Sequence, residues 1–90
     1  MKQKISIVIP TIEEPTLFDI IQQIRDEIGK DTEIIVVDKS SDEYFNRVKA
    51  SGVIAIRQKD KGVEKAIMTG LREAHGDILA SIDADGTHGF

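Results

Sequence analysis

Cysteine is absent from this 90-residue chain, and with it go disulfides, thiolate metal sites and cysteine nucleophiles. The absence fits a reducing compartment, so a cytoplasmic location is the expectation. Tryptophan is missing too, and one tyrosine and three phenylalanines complete the aromatic inventory, which leaves Ile, Val, Leu and Ala to build the core. No apolar run exceeds about five residues, against the roughly 20 that cross a bilayer, and no signal-peptide pattern opens the chain. Membrane insertion by this segment is not expected. Positive charge is in deficit, for a net charge of −4, and a general nucleic-acid or anionic-membrane binder would need the opposite balance. Small phosphorylated ligands need only local positive charge and remain open. Neither a Gly-x-Gly-x-x-Gly after the first apolar run nor a Gly-x-x-x-x-Gly-Lys-Ser/Thr occurs, so the common dinucleotide and NTPase fingerprints are lacking.

What is present is globular composition, 40% hydrophobic and 31% charged, at a length that suits one domain over residues 1–90. Strand-like runs alternate with helical periodicity. Ile5 to Ile9 reads as a first strand ending at Pro10. Leu17, Ile20, Ile21, Ile24 and Ile28 then form one stripe of a helix that Gly29 terminates. Glu33 to Asp38, with its unbroken Ile34-Ile-Val-Val37, predicts a strand buried on both faces. A second helix has Ser41 or Asp42 as cap, Tyr44, Phe45 and Val48 as its apolar side, and Gly52 as its end. Val53 to Ile56 is the third strand. From Asp60, a candidate N-cap, the stripe Val63, Ala66, Ile67, Gly70, Leu71, Ala74 predicts a third helix running to Gly76. Gly70 on that stripe predicts close approach of helix to sheet. Ile78 to Ile82 is the fourth strand. The order β-α-β-α-β-α-β implies right-handed crossovers and an α/β three-layer sandwich on a parallel sheet.

In open parallel sheets, ligands bind beyond the carboxyl ends of the strands. The residues there are acidic: Glu13 and Glu14 after the first strand, Asp38 at the end of the second, Asp83 and Asp85 after the fourth. Residues i and i+2 of an extended segment point the same way, so Asp83 and Asp85 could converge on one divalent cation whose other ligands are phosphate oxygens. The segment Arg57-Gln-Lys-Asp-Lys-Gly62 brings opposite charge to the start of the third helix, and Lys59, Lys61 and Lys65 are either phosphate contacts or a solvated basic face. His75 reads as a surface residue. His88 reads as a loop histidine within reach of the metal pair. Ser81 has no base beside it, so a nucleophilic triad is not supported.

These residues resemble the inverting family 2 nucleotide-sugar glycosyltransferases of the GT-A fold, above all the dolichol-phosphate mannose synthase branch. The resemblance rests on Ile5-Ser-Ile-Val-Ile-Pro-Thr11, on Glu33-Ile-Ile-Val-Val-Asp38 with Ser40 and Ser41, on Lys61-Gly62, Ala66, Gly70-Leu71, Ala74 and Gly76-Asp77, and on Asp83-Ala84-Asp85. It implies a strand order of 3-2-1-4. It also implies a nucleoside-diphosphate-sugar donor, with Pro10, Thr11 and Glu14 lining the nucleotide pocket, Asp38 against the base or ribose, and Lys61 and Asp83 beside the nucleotide. Asp83 and Asp85 would hold Mg or Mn, with Asp85 the direct ligand. Two positions depart from the family. Glu13 precedes Glu14 where Asn-Glu is usual, and Lys39 stands where a second Asp is usual; an ammonium cannot accept from a base imino group as a carboxylate can.

The resemblance further implies that the acceptor-binding half and the general base lie C-terminal to the metal pair, so the chain reads as the front portion of something longer and inactive alone. The fourth strand would then be an exposed sheet edge, and self-association through it is expected. Two other readings stay open. A receiver-like signalling domain would need a fifth strand with a lysine behind it, and a stand-alone nucleotide-binding or assembly module would keep the fold without turnover.

Overall fold

A computed structural model describes residues 4–58 and 62–82. The apolar runs become four parallel strands, β1 (Ile5–Thr11), β2 (Glu33–Asp38), β3 (Ile54–Arg57) and β4 (Ile78–Ser81), and the periodic segments become α1 (Leu17–Glu27), α2 (Asp42–Ala50) and α3 (Val63–Glu73). The sheet order is β3-β2-β1-β4, all parallel.

Strand alternation sorts the inner strands into two cores. Ile7, Ile9, Ile34 and Val36 face one way and pack with Leu17, Ile21 and Ile24 of α1 and Tyr44 and Val48 of α2. Val8, Ile35 and Val37 face the other way onto Ala66 of α3, with Leu71 and Ala74 at its margin. Two helices, a sheet and one helix make the three layers. Fully burying side chains of this kind contributes roughly 1.5–3 kcal/mol each, before conformational entropy is subtracted. In α3, Gly70 is buried against β1, and a Cβ built there would overlap the Val8 isopropyl group.

Several boundaries differ from the sequence expectation, each for a local reason. β1 runs through Pro10 to Thr11. The Val8 carbonyl accepts from Ile82 N–H on the β4 side, while the Thr11 carbonyl accepts from Lys39 N–H on the β2 side. Two residues on from Val8, Pro10 therefore turns its nitrogen toward β4, past Ser81, the last residue paired there, so the missing N–H costs no ladder bond. Ile28, expected on the buried stripe, is 48% exposed. The helix ends at Glu27, and the chain turns through Ile28 into Gly29, whose φ of 144° and N–H to the Ile24 carbonyl close the terminus. β3 is displaced by one residue from Val53–Ile56.

α3 stops at Glu73 rather than reaching Gly76. The chain becomes extended at Ala74 because side chains of the strands take over the next donors. His75 N–H donates to Glu33 at 2.7 Å, and Gly76 N–H donates to Ser6 Oγ at 2.8 Å. Gly62 occupies the N-cap, and the expected cap Asp60 lies outside the described residues. Beyond β1, β4 has no partner strand among the described residues; all four of its residues are exposed, with Ile78 at 43% and Leu79 at 50%. No helix of the described residues is long and apolar enough to cross a membrane.

Candidate functional site

In the order β3-β2-β1-β4 the chain reverses direction across the sheet at β1, which puts the topological switch point at the carboxyl end of that strand. Register aligns the ends there: Thr11 pairs with Asp38, and Asp38 pairs with Arg57. Lys39 N–H to the Thr11 carbonyl (3.1 Å) and Gln58 N–H to the Asp38 carbonyl (2.8 Å) extend the ladder by one step.

Asp38 is fully buried. Its Oδ1 accepts from the Ser40 hydroxyl at 2.5 Å, whereas Oδ2 has no hydrogen-bond donor among the described residues. Burial pushes the Asp38 carboxyl above the usual carboxylate value; the Ser40 hydroxyl and N–H and the Arg57 guanidinium pull the other way, and the neighbouring Glu13 charge adds to the rise. A buried acceptor without a donor is a costly arrangement.

The loop after β1 is bonded to the segment that follows this carboxylate. Glu13 adopts φ 49°, the left-handed region that few non-glycine residues enter. Its N–H donates to Ser40 Oγ at 2.6 Å, and its side-chain Oε1 accepts from Ser41 N–H at 2.7 Å. Ser41 in turn caps α2, accepting from Tyr44 N–H at 3.3 Å. The Tyr44 hydroxyl donates to the Glu14 carbonyl at 2.6 Å and lies 3.4 Å from Thr11 Oγ1. Burial raises the Tyr44 phenol above its usual value, so it stays protonated as a donor. On the β3 side, Arg57 donates to the Ser40 carbonyl at 2.9 Å, pairs with Asp42 at 2.9 Å and lies over the Phe45 ring.

Of the residues expected at a nucleotide site, Pro10, Thr11, Glu14 and Asp38 are thus gathered at the rim of β1 and β2. Pro10 and Glu14 are half-buried, and Thr11 and Asp38 are buried, Asp38 completely. Lys61, Asp83 and Asp85 lie outside the described residues, as do Lys59 and His88. Among the described residues, no cluster of three His, Asp or Glu side chains could hold a metal ion. Phe45, expected on the apolar side of α2, is only half-buried and lies beneath the cations of Lys49 and Arg57.

Sequence reasoning did not assign Tyr44, Ser40 or Arg57 their structural roles here. Tyr44 could have been found, because a tyrosine on an otherwise buried stripe must place its hydroxyl on a partner. His75 is exposed as expected, yet it is bonded to Glu33 through Nδ1 at 3.0 Å at the opposite end of the sheet. Burial there would raise the Glu33 carboxyl, but bonds from His75 N–H, Ser6 and the His75 ring outweigh it and hold Glu33 below its usual value.

A sequence profile described as Glycosyl transferase family 2 matches residues 6–89. The dolichol-phosphate mannosyltransferase of Pyrococcus furiosus is 33% identical over 93 residues, covering 94% of this chain and 26% of the relative. The undecaprenyl-phosphate 4-deoxy-4-formamido-L-arabinose transferase of an Enterobacter species is 33% identical over 94 residues, covering 91% and 29% respectively. Among solved structures, glucosyl-3-phosphoglycerate synthase of Mycobacterium tuberculosis, in complex with Mn2+, uridine diphosphate and phosphoglyceric acid, superposes with a TM-score of 0.73 at 30% identity, over 91% of this chain and 33% of that one. Mannosyl-3-phosphoglycerate synthase of Rubrobacter xylanophilus gives a TM-score of 0.78 at 26% identity, over 98% and 32%. The chain therefore spans 26% and 29% of the two curated relatives and about a third of the matched structures.

Proposed function

The chain belongs to glycosyl transferase family 2, and on that premise we propose that it is the donor-binding portion of an inverting, metal-dependent glycosyltransferase that uses a nucleoside-diphosphate sugar. The observation that carries this reading is Asp38 Oδ2, a buried carboxylate oxygen without a donor among the described residues, at the switch point of the sheet. A base imino group or a ribose hydroxyl would supply that donor. Pro10, Thr11 and Glu14 border the same rim, and Lys61 and Asp83 complete the proposed nucleotide contacts.

Asp83 and Asp85 are proposed to hold Mg or Mn, because two carboxylates at i and i+2 are a hard-oxygen donor set suited to such a cation. A bound cation supplies charge neutralisation on the leaving diphosphate. The chain's own residues orient the nucleotide: Tyr44 fixes the Glu14 backbone, and Arg57 fixes the Ser40 backbone. Sugar transfer with inversion is proposed for a protein of the relatives' length, not for these 90 residues alone.

Calorimetric titration with uridine diphosphate, with and without Mn2+, tests the reading. Binding that strengthens with the metal is the expected result. Absence of binding for both uridine and guanosine diphosphates would refute it.

We also propose self-association through β4, favoured by one observation. Leu79 and Ser81 direct their backbone groups away from β1, and Ile78 and Leu79 are large exposed apolar residues. Antiparallel pairing of two copies about Ala80 would set Leu79 opposite Ser81 of the second copy and place small alanines at the closest approach.

A further inference from the structure

The donor-binding reading leaves a difficulty at Asp38. The carboxylate that should meet a ligand is fully buried, so no ligand reaches it in this conformation. Four observations at Glu13, Ser40 and Asp38 bear on what covers it. Glu13 stands in the left-handed region at φ 49°, where a residue without a glycine's freedom persists only if its surroundings hold it. Both ends of Glu13 are held by the segment that follows Asp38: its N–H by Ser40 Oγ, its carboxylate by Ser41 N–H. The Ser40 hydroxyl is used twice, accepting from Glu13 and donating to Asp38 Oδ1. The other Asp38 oxygen is left without a donor among the described residues.

We propose that Glu13 is the clasp of a cover over Asp38, and that a nucleotide enters this rim by opening the Glu13–Ser41 bond and supplying the donor that Asp38 Oδ2 lacks. Glu13 is thus a positioning residue that acts through the Ser40–Ser41 segment. The inference rests on the rim being a nucleotide site. The closed form reduces apparent affinity by the fraction of molecules that are open, so loosening the clasp tightens binding. The left-handed strain at Glu13 and the orphaned Asp38 oxygen both disfavour the closed form, and the charge-assisted bond to Ser41 N–H opposes them.

Two variants of the full chain separate the contributions. Glu13→Gln keeps an acceptor for Ser41 N–H and removes the charge; Glu13→Ala removes both. The groups facing Asp38 are Ser40 from the segment that follows it, Arg57 from β3, Tyr44 from α2, Thr11 from β1 and Glu13 from the loop after β1. Only position 13 changes between variants. The first readout needs no nucleotide: carbon-13 NMR titration of the Asp38 carboxyl. Burial holds that group above its usual value, so Glu13→Ala should bring it down by more than Glu13→Gln, which removes only the neighbouring charge. The second readout is affinity for uridine diphosphate with Mn2+, which should rise on the order of tenfold in Glu13→Ala, the effect of releasing one charge-assisted bond, and much less in Glu13→Gln.

Equal Asp38 titration in the two variants would overturn the clasp, as would unchanged or weakened nucleotide affinity in a folded Glu13→Ala. If the wild-type chain binds neither uridine nor guanosine diphosphate, the donor-binding reading fails, and the NMR titration alone decides whether Glu13 covers Asp38.

Discussion

Gly70 and Val8 are in contact across the interface of α3 with β1, and the space a methyl group would need on Gly70 is taken by the Val8 side chain. Helix propensity by itself would favour alanine at Gly70 by up to about 1 kcal/mol. Overpacking costs roughly 1–3 kcal/mol in a close-packed interior. Gly70→Ala should therefore destabilise the chain despite better propensity, as a lowered urea midpoint with an unchanged slope. A stabilised variant would show that α3 can lift off β1.

The second expectation concerns Tyr44, whose hydroxyl donates to the Glu14 carbonyl while its ring stands 5.8 Å from Phe18. Tyr44→Phe keeps the ring and deletes the donor, so the loss should be about 1 kcal/mol of stability. Unfolding curves for the two proteins measure it. Equal stability would mean that the loop after β1 is not anchored by α2.

Acid response follows from two carboxylates shifted in opposite directions. Glu33 is held below its usual value, so its contribution is present above the unfolded-state value and is lost as pH falls through the folded one. Asp38 is held above its usual value, so its charged form disfavours the fold as pH rises through the raised value. Glu33→Gln should be less stable than the wild type near neutrality, with the gap closing on acidification to about pH 3. Urea midpoints across that range are the measurement. A gap that widens in acid would reverse the sign assigned to Glu33.

The β4 edge leads to a fourth expectation. Sedimentation over a range of concentrations should show a dimer that survives added salt, because the contact is apolar and backbone-mediated. Leu79→Lys should abolish it by placing a charge on the edge. A strict monomer at hundreds of micromolar, or a dimer dissolved by salt, would contradict the proposed contact.

All seven elements were legible in the sequence because the inner strands are unbroken β-branched runs and the helices carry apolar stripes of regular spacing; the sheet order followed from the family resemblance, not from those patterns. Gly70 was legible as a close approach for the same reason: a glycine on a buried stripe has few other uses. The boundaries were less so. α3 ends where Glu33 and Ser6, about 40 and 70 residues away in sequence, take its next two donors, and no local pattern announces a partner that distant. At the rim, the sequence could name Thr11, Glu14 and Asp38 but not the left-handed Glu13 that bridges to Ser40 and Ser41. That conformation is imposed by the neighbouring strand's loop, against the intrinsic preference of glutamate. The usual asparagine at this position, an amide that tolerates the left-handed region, fits the geometry better than Glu13 does.

The central claim, a metal-assisted nucleotide site built by this chain, is tested most directly at Asp85. Calorimetry with uridine diphosphate and Mn2+ should show the metal-dependent part of the affinity disappearing in Asp85→Ala, with a smaller loss in Asp83→Ala, since Asp85 is the proposed direct ligand and its removal would leave the diphosphate charge uncompensated. Wild-type, Mn2+-dependent affinity in Asp85→Ala would contradict the account.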